Sequence, residues 1–253
     1  MKKILLSAVD VCKSFKIGKN HVDVLNNVSV DFYEGDFTII MGASGAGKST
    51  LLYALSGMDK ISKGKVIYKE KEISSLSEKQ IANLRSHDFG FVFQQTHLVS
   101  NLTLFENVAV AGYLGKERST KETCTRTEEL FKQMNVGNEK DRIPSEVSGG
   151  EAQRATVARA IINEPGIVFA DEPTGALNKN NTQEVLNILS KLNNSGQSII
   201  MVTHDIRAAL RGNRLLYLED GKIVDEKEMP SYEQSDGKDR EVQLNNWLAS
   251  MKW

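Results

Sequence analysis

The sequence predicts one large α/β domain on a mainly parallel sheet, with helices covering both faces. Three observations predict it. Short apolar runs of strand length, such as Phe37–Met41, Ile167–Ala170 and Ser198–Thr203, alternate with longer stretches that read as helices. Chemistry-bearing residues follow the ends of these runs, where open α/β sheets place their sites. A length of 253 residues with 40% hydrophobic content supports one large core and leaves little for a second. Strands that alternate with helices pair in parallel and are buried on both sides.

The elements follow in chain order. Two strand-like runs open the chain, near Leu5–Val11 and Val24–Phe32. Lysines at 13, 16 and 19 read as a solvated surface. Phe37-Thr38-Ile39-Ile40-Met41 reads as a buried strand. It is followed by Gly42-Ala43-Ser44-Gly45-Ala46-Gly47-Lys48-Ser49, which fits the phosphate-loop pattern G-x-x-x-x-G-K-[ST]. A helix starting at Lys48 continues through Thr50–Leu55 without a breaker. Three glycines let the backbone wrap an anion, and the helix start adds the positive end of its dipole. In this pattern Lys48 reaches the β- and γ-phosphates of a nucleoside triphosphate and the Ser49 hydroxyl ligates Mg²⁺.

Residues 95–164 read as strongly helical. Thr103/Glu106 and Ser119/Glu122 have the spacing of capping boxes ahead of amphipathic runs. Ser148-Gly149-Gly150-Glu151-Ala152-Gln153-Arg154 contains a third capping box, Ser148 with Glu151, opening a helix from Gly150 to Asn163 that stops before Glu164-Pro165. Two adjacent glycines in a first turn each cost about 1 kcal/mol against alanine. Bare N–H groups at a helix start are explained if a second phosphate approaches there. Ile167–Ala170 then delivers Asp171 and Glu172, placed to bind Mg²⁺ and to orient an attacking water.

The chain turns polar from Met229, and Ser231–Arg240 reads as a linker. Leu244, Trp247, Leu248 and Met251 fall at i, i+3, i+4 and i+7, one apolar face of a short C-terminal helix, expected to dock on the chain's own surface, with contact to another subunit as the alternative. Both tryptophans, Trp247 and Trp253, lie in this tail.

Taken together, the phosphate loop, the Ser148–Arg154 stretch and the Asp171–Glu172 strand end resemble the ATP-binding-cassette ATPases over nearly the whole chain. The resemblance implies a P-loop core with an N-terminal antiparallel β region. One nucleotide-binding domain would span 1–228, with the helical signature subdomain inserted at 95–164 and a linker plus amphipathic helix at 229–253. It assigns ATP binding to Phe15, stacked on adenine, and to Gly42, Ala43, Ser44, Gly45, Ala46, Gly47, Lys48, Ser49 and Thr50. Ser49, Asp171 and Gln94 are implied as Mg²⁺ contacts, and Glu172, His204 and Gln94 as catalytic. Ser148, Gly149, Gly150 and Glu151 would meet the ATP of an opposite subunit in an ATP-dependent homodimer. Two departures from the family pattern stand out. The signature carries Val147 and Glu151 for the usual Leu and Gln, and Asn178 stands where most relatives have aspartate.

The resemblance also implies an integral-membrane permease as a separate polypeptide, with the cassette on the cytoplasmic face of the membrane. Glu172-Pro173-Thr174-Gly175, Gly90–Gln95 and Pro144 look like the macrolide-export and lipoprotein-release branch. Gly57–Lys60 and Ala176–Lys179 look closest to its bacitracin and antimicrobial-peptide resistance subgroup. A lipoprotein-release or cell-division permease, or a soluble cassette of iron–sulfur assembly, remain the alternatives. A nucleotide kinase fits poorly, because it has no use for Ser148–Arg154. A net charge of −1 and a pI near 6.5 give no basic field for nucleic acid. No apolar run reaches the ~18 residues of a membrane span. Cys12 and Cys124 form no metal or redox spacing and are expected to stay reduced.

Overall fold

In the computed structural model, residues 2–18, 20–115, 117–233 and 237–251 are described. In chain order these form β1 (Ile4–Ile17), β2 (Asn20–Tyr33), β3 (Phe37–Met41), α1 (Lys48–Leu55), β4 (Lys63–Tyr68), β5 (Lys71–Glu72), α2 (Glu78–His87) and β6 (Phe89–Phe93). There follow α3 (Leu104–Gly115), α4 (Thr120–Gln133), α5 (Gly149–Ile161), β7 (Ile167–Asp171), α6 (Lys179–Asn194), β8 (Ser198–Val202), α7 (Ile206–Ala209), β9 (Arg214–Glu219), β10 (Lys222–Glu228) and α8 (Gly237–Ser250). The chain divides into two compact units, one of residues 1–81 with 192–253 and the other of residues 82–191.

The first unit holds the N-terminal β region and the phosphate loop. β1 and β2 pair antiparallel from Ile4↔Tyr33 to Ile17↔Asn20, and β4 and β5 extend the sheet in the order β2-β1-β4-β5. Both opening strands outrun the apolar segments that predicted them. Phe15 and Lys16 of β1 and Asn20, His21, Val22 and Asp23 of β2 are exposed, held by cross-strand pairing rather than by burial. Elsewhere in the unit β3 runs parallel to β8 on one side and to β9 on the other, and β10 pairs antiparallel with β9. Every residue of β3 and β8 is buried, as expected of strands covered on both faces. Leu51, Leu52 and Leu55 of α1 are buried in the same core.

The tail also belongs to this unit. α8 begins inside the stretch read as a linker, because Arg240 is buried and donates to the carbonyl oxygens of Leu210, Pro230 and Gly212. Leu244, Trp247 and Leu248 are buried as the periodicity predicts. Trp247 Nε1 donates to Asp225 of β10 at 2.7 Å, and its ring meets Tyr217 of β9 edge-on at 6.2 Å. The helix therefore docks on its own chain. Trp253 lies outside the described residues.

In the second unit β6 and β7 pair in parallel, from Phe89↔Ile167 to Phe93↔Asp171. Phe169 meets Phe89 edge-on at 5.1 Å and stacks on Phe91 at 5.7 Å. α5 packs on β6 and α3, with α4 beside both helices. All three predicted capping boxes form. Thr103 exchanges hydrogen bonds with Glu106, Ser119 with Glu122, and Ser148 with Glu151.

Candidate functional site

The phosphate loop owes its shape to contacts that exclude side chains. Gly42, Gly45 and Gly47 have φ of 150°, 83° and 101°. A Cβ on Gly42 would lie 2.1 Å from the Leu218 carbonyl oxygen, and one on Gly47 2.9 Å from that of Val24. Gly47 is also the N-cap of α1 and, lacking a side chain, places no cap group over the first turn. Lys48 is buried and donates from Nζ to the carbonyl oxygens of Gly42 and Ala43, both at 2.9 Å, which centres its charge on the loop. Ala43, Ser44 and Gly45 are exposed, and Ser49 and Thr50 are half-buried in the first helical turn. A bare backbone cradle, a helix start and a central ammonium fit a triphosphate.

Two further predicted residues lie in the same unit. Phe15 is 39% exposed on β1, opposite the exposed Val22 of β2. Lys13, expected at a solvated surface, is instead 8% exposed, because its ammonium pairs with Asp59 at 2.7 Å. His204 is exposed just beyond β8. The next residue, Asp205, caps α7 and forms an ion pair with Arg207. Burial pushes the Asp205 carboxyl up, but hydrogen bonds from Arg207 and the charges of Arg207 and His204 outweigh it and hold it below its ordinary value.

The second unit carries the remaining predicted residues. Gln94 is exposed directly after β6. A Cβ on Gly175 would lie 2.8 Å from Gln94 Nε2, so the glutamine rests against the turn that follows β7. Asp171 ends β7. Glu172 has a left-handed backbone, φ 44°, which breaks the strand, and its carbonyl oxygen accepts from the Gly175 N–H at 3.0 Å. Sequence reasoning did not single out the residue tying these strand ends together. Gln153 of α5, 1% exposed, donates from Nε2 to the carbonyl oxygens of Phe93 (2.8 Å) and Pro173 (2.7 Å), the neighbours of Gln94 and Glu172. Arg159, one and a half turns further along α5, donates to the Thr96 and His97 carbonyl oxygens, each at 2.8 Å, and burial lowers its pKa. The one available signal was that Gln153 sits inside the Ser148–Arg154 stretch.

The glycine pair has two separate explanations. Gly149 is exposed at the start of α5, with only ordinary contact to Leu177. Gly150 is buried, and a Cβ there would lie 2.3 Å from Asn181 Cγ, so close packing on α6 is sufficient reason for it. Glu151 accepts from the Ser148 backbone N–H and from its hydroxyl, and this holds its carboxyl below the ordinary range. Asn178 caps α6, its Oδ1 accepting from the Asn181 N–H at 3.0 Å. Among the described residues no three His, Cys, Asp or Glu side chains cluster to hold a metal.

The profile of the family described as ABC transporter matches residues 25–175. The macrolide export ATP-binding/permease protein MacB of Mannheimia succiniciproducens is 43% identical over 223 residues, 88% of this chain and 34% of that protein. The Shigella sonnei protein of the same name is 39% identical over 87% of this chain and 34% of its own length. This chain thus spans about a third of the length of these curated relatives. Among solved structures, the dimeric post-hydrolysis state of the ATP-binding cassette MJ0796 bound to ADP and Pi superposes with a TM-score of 0.84 at 34% identity, covering 90% of this chain and all of that one. The structure of cbiO1 from Clostridium perfringens, part of the transporter complex cbiONQ, gives 0.79 at 25% identity over 90% of this chain and 89% of its own.

Proposed function

The chain belongs to the ABC transporter family, and on that premise we propose that it powers a membrane permease through ATP-driven pairing of two copies. It is an ABC-type ATPase cassette, converting ATP and water to ADP and phosphate. Phe15 receives the adenine and Gly42–Thr50 hold the phosphates, with Lys48 neutralising the β- and γ-oxygens. Ser49, Gln94 and Asp171 are the residues that would hold Mg²⁺, which supplies charge neutralisation at the phosphate oxygens when bound. Glu172 accepts the proton of the attacking water and aims its oxygen at the γ-phosphorus. His204 stabilises the charge that develops there. Ser148, Gly149, Gly150 and Glu151 meet the nucleotide of the second copy, so each ATP is enclosed only in the dimer.

Similarity over 88% of this chain to proteins named for both ATP binding and permease activity carries the membrane proposal. We place the cassette on the cytoplasmic face of the membrane, held there by the permease. No helix among the described residues is long and apolar enough to cross a membrane. The proposed cargo class is antimicrobial peptides. The relatives' names, which refer to macrolide export, support an antibiotic of some kind.

Glu172→Gln tests the core of this proposal. ATP turnover should fall by about two orders of magnitude or more while ATP still binds, because only the proton acceptor is lost. The variant should then accumulate as an ATP-dependent dimer measurable by light scattering. Turnover near that of the unaltered chain would remove Glu172 from its role. Retention by the co-expressed permease on affinity purification from membranes, with loss on its omission, checks the partner.

A further inference from the structure

Lys13 has surroundings unlike those of the neighbouring surface lysines. It lies on β1 where the register to β2 shifts on both sides of it, and its side chain is nine-tenths buried. Its Nζ donates to Asp59 Oδ1 and to the Lys60 carbonyl oxygen, both at 2.7 Å. Asp59 is itself fixed to the end of α1, where the N–H groups of Met58 and Asp59 both donate to the Tyr53 carbonyl oxygen at 2.9 and 3.1 Å. The same ammonium lies 4.6 Å from the centroid of the Phe15 ring. A buried cation is thus anchored to the helix that follows the phosphate loop and covers one face of the exposed aromatic. Phe15 itself is 39% exposed.

We propose that Lys13 is the positioning residue of the base site, holding the Phe15 ring in place beside Asp59 and polarising it for a stacked purine. The inference rests on Phe15 receiving the adenine. Two physical effects carry it. An ammonium over one face draws the ring's π-density toward itself and holds the ring in place. A ring already ordered loses less freedom when the base arrives, so more of the stacking energy appears as affinity. The phosphates do not enter, because Lys13 is engaged by Asp59, the Lys60 carbonyl and the ring.

The test compares ATP with inorganic tripolyphosphate, which lacks the base, by titration calorimetry on the full chain. Phe15→Ala should weaken ATP about 10-fold, within the range of base–aromatic stacking, and leave tripolyphosphate unchanged. Lys13→Gln keeps hydrogen-bonding capacity but loses the charge, and should weaken ATP about 3- to 10-fold with tripolyphosphate again unchanged. Lys13→Arg, which retains a cation, should recover most of the ATP affinity. If Phe15→Ala weakens ATP and Lys13→Gln does not, the inference is overturned and the base-stacking role of Phe15 stands. Equal weakening of both ligands by Lys13→Gln overturns it too, because Lys13 would then act through the loop or the fold. An inert Phe15→Ala overturns the stacking role itself. Should Lys13→Gln fail to fold, Asp59→Asn loosens the same bridge at a half-exposed position. There an ATP-selective loss supports the inference and unchanged ATP affinity overturns it.

Discussion

At the scale of single residues, Gln153 shows how a side chain outside the chemistry can set it. Its amide holds two carbonyl oxygens, one beside Gln94 and one beside Glu172. Gln153→Ala leaves both without that donor, a loss of about 1–3 kcal/mol for each buried group that stays unpaired. Turnover should drop by about 10-fold or more with little change in KM for ATP, because the phosphate loop is untouched. Steady-state kinetics read that split directly. Asn178 makes the opposite case. It already caps α6 through Oδ1, so Asn178→Asp keeps the cap and adds a negative charge at a helix start, a gain of about 0.5 kcal/mol readable by denaturant unfolding. Residues whose roles follow from local pattern, such as the Gly42–Ser49 loop and the Ser148–Glu151 box, were legible in the sequence. Gln153 and Lys13 were not, because their partners lie 20 or more positions away and nothing in their own neighbourhoods announces burial.

Among elements, the second unit relies on glutamates at helix starts. Glu106, Glu122 and Glu151 all have lowered pKa values, each held down first by its hydrogen bonds with the capping Thr or Ser. A carboxyl whose folded pKa lies below its unfolded value stabilises the fold fully above the unfolded pKa, near 4.5. That contribution is lost as pH falls through the lowered folded value. Replacing all three by Gln removes the linkage, since the amide does not titrate. The melting temperature of the variant should therefore fall less steeply than that of the parent between about pH 5 and pH 3, as differential scanning calorimetry across that range would report. Helix starts of this kind are written in four consecutive residues, which explains why all three were readable in advance. The start of α8 was not. Its first turn is polar and glycine-led, and it is helical because Arg240 finds three carbonyl acceptors from distant loops.

Viewed whole, the alternation of apolar strands and helices made the α/β class legible, because burial on both faces leaves its mark on every residue of β3 and β8. Strand order left no such mark. It depends on which strands meet in space, and β3 lies between β8 and β9 across more than 150 intervening residues. A ligand that binds only the folded chain stabilises all of it, by about 2.7 kcal/mol at a hundred times Kd. ATP should therefore raise the melting temperature of Glu172→Gln, and Lys48→Ala should abolish that shift. Scanning fluorimetry with and without ATP distinguishes the two. The docked tail carries a practical consequence for handling the protein. β10 is the outermost strand of its sheet, and an open strand edge invites pairing with another chain. α8 sits against that strand, with Trp247 bound to Asp225. Shortening the chain before Gly237 would bare the apolar footprint of Leu244, Trp247 and Leu248 beside that strand. Such a truncation should yield aggregates on expression even though no residue of the phosphate loop has been touched.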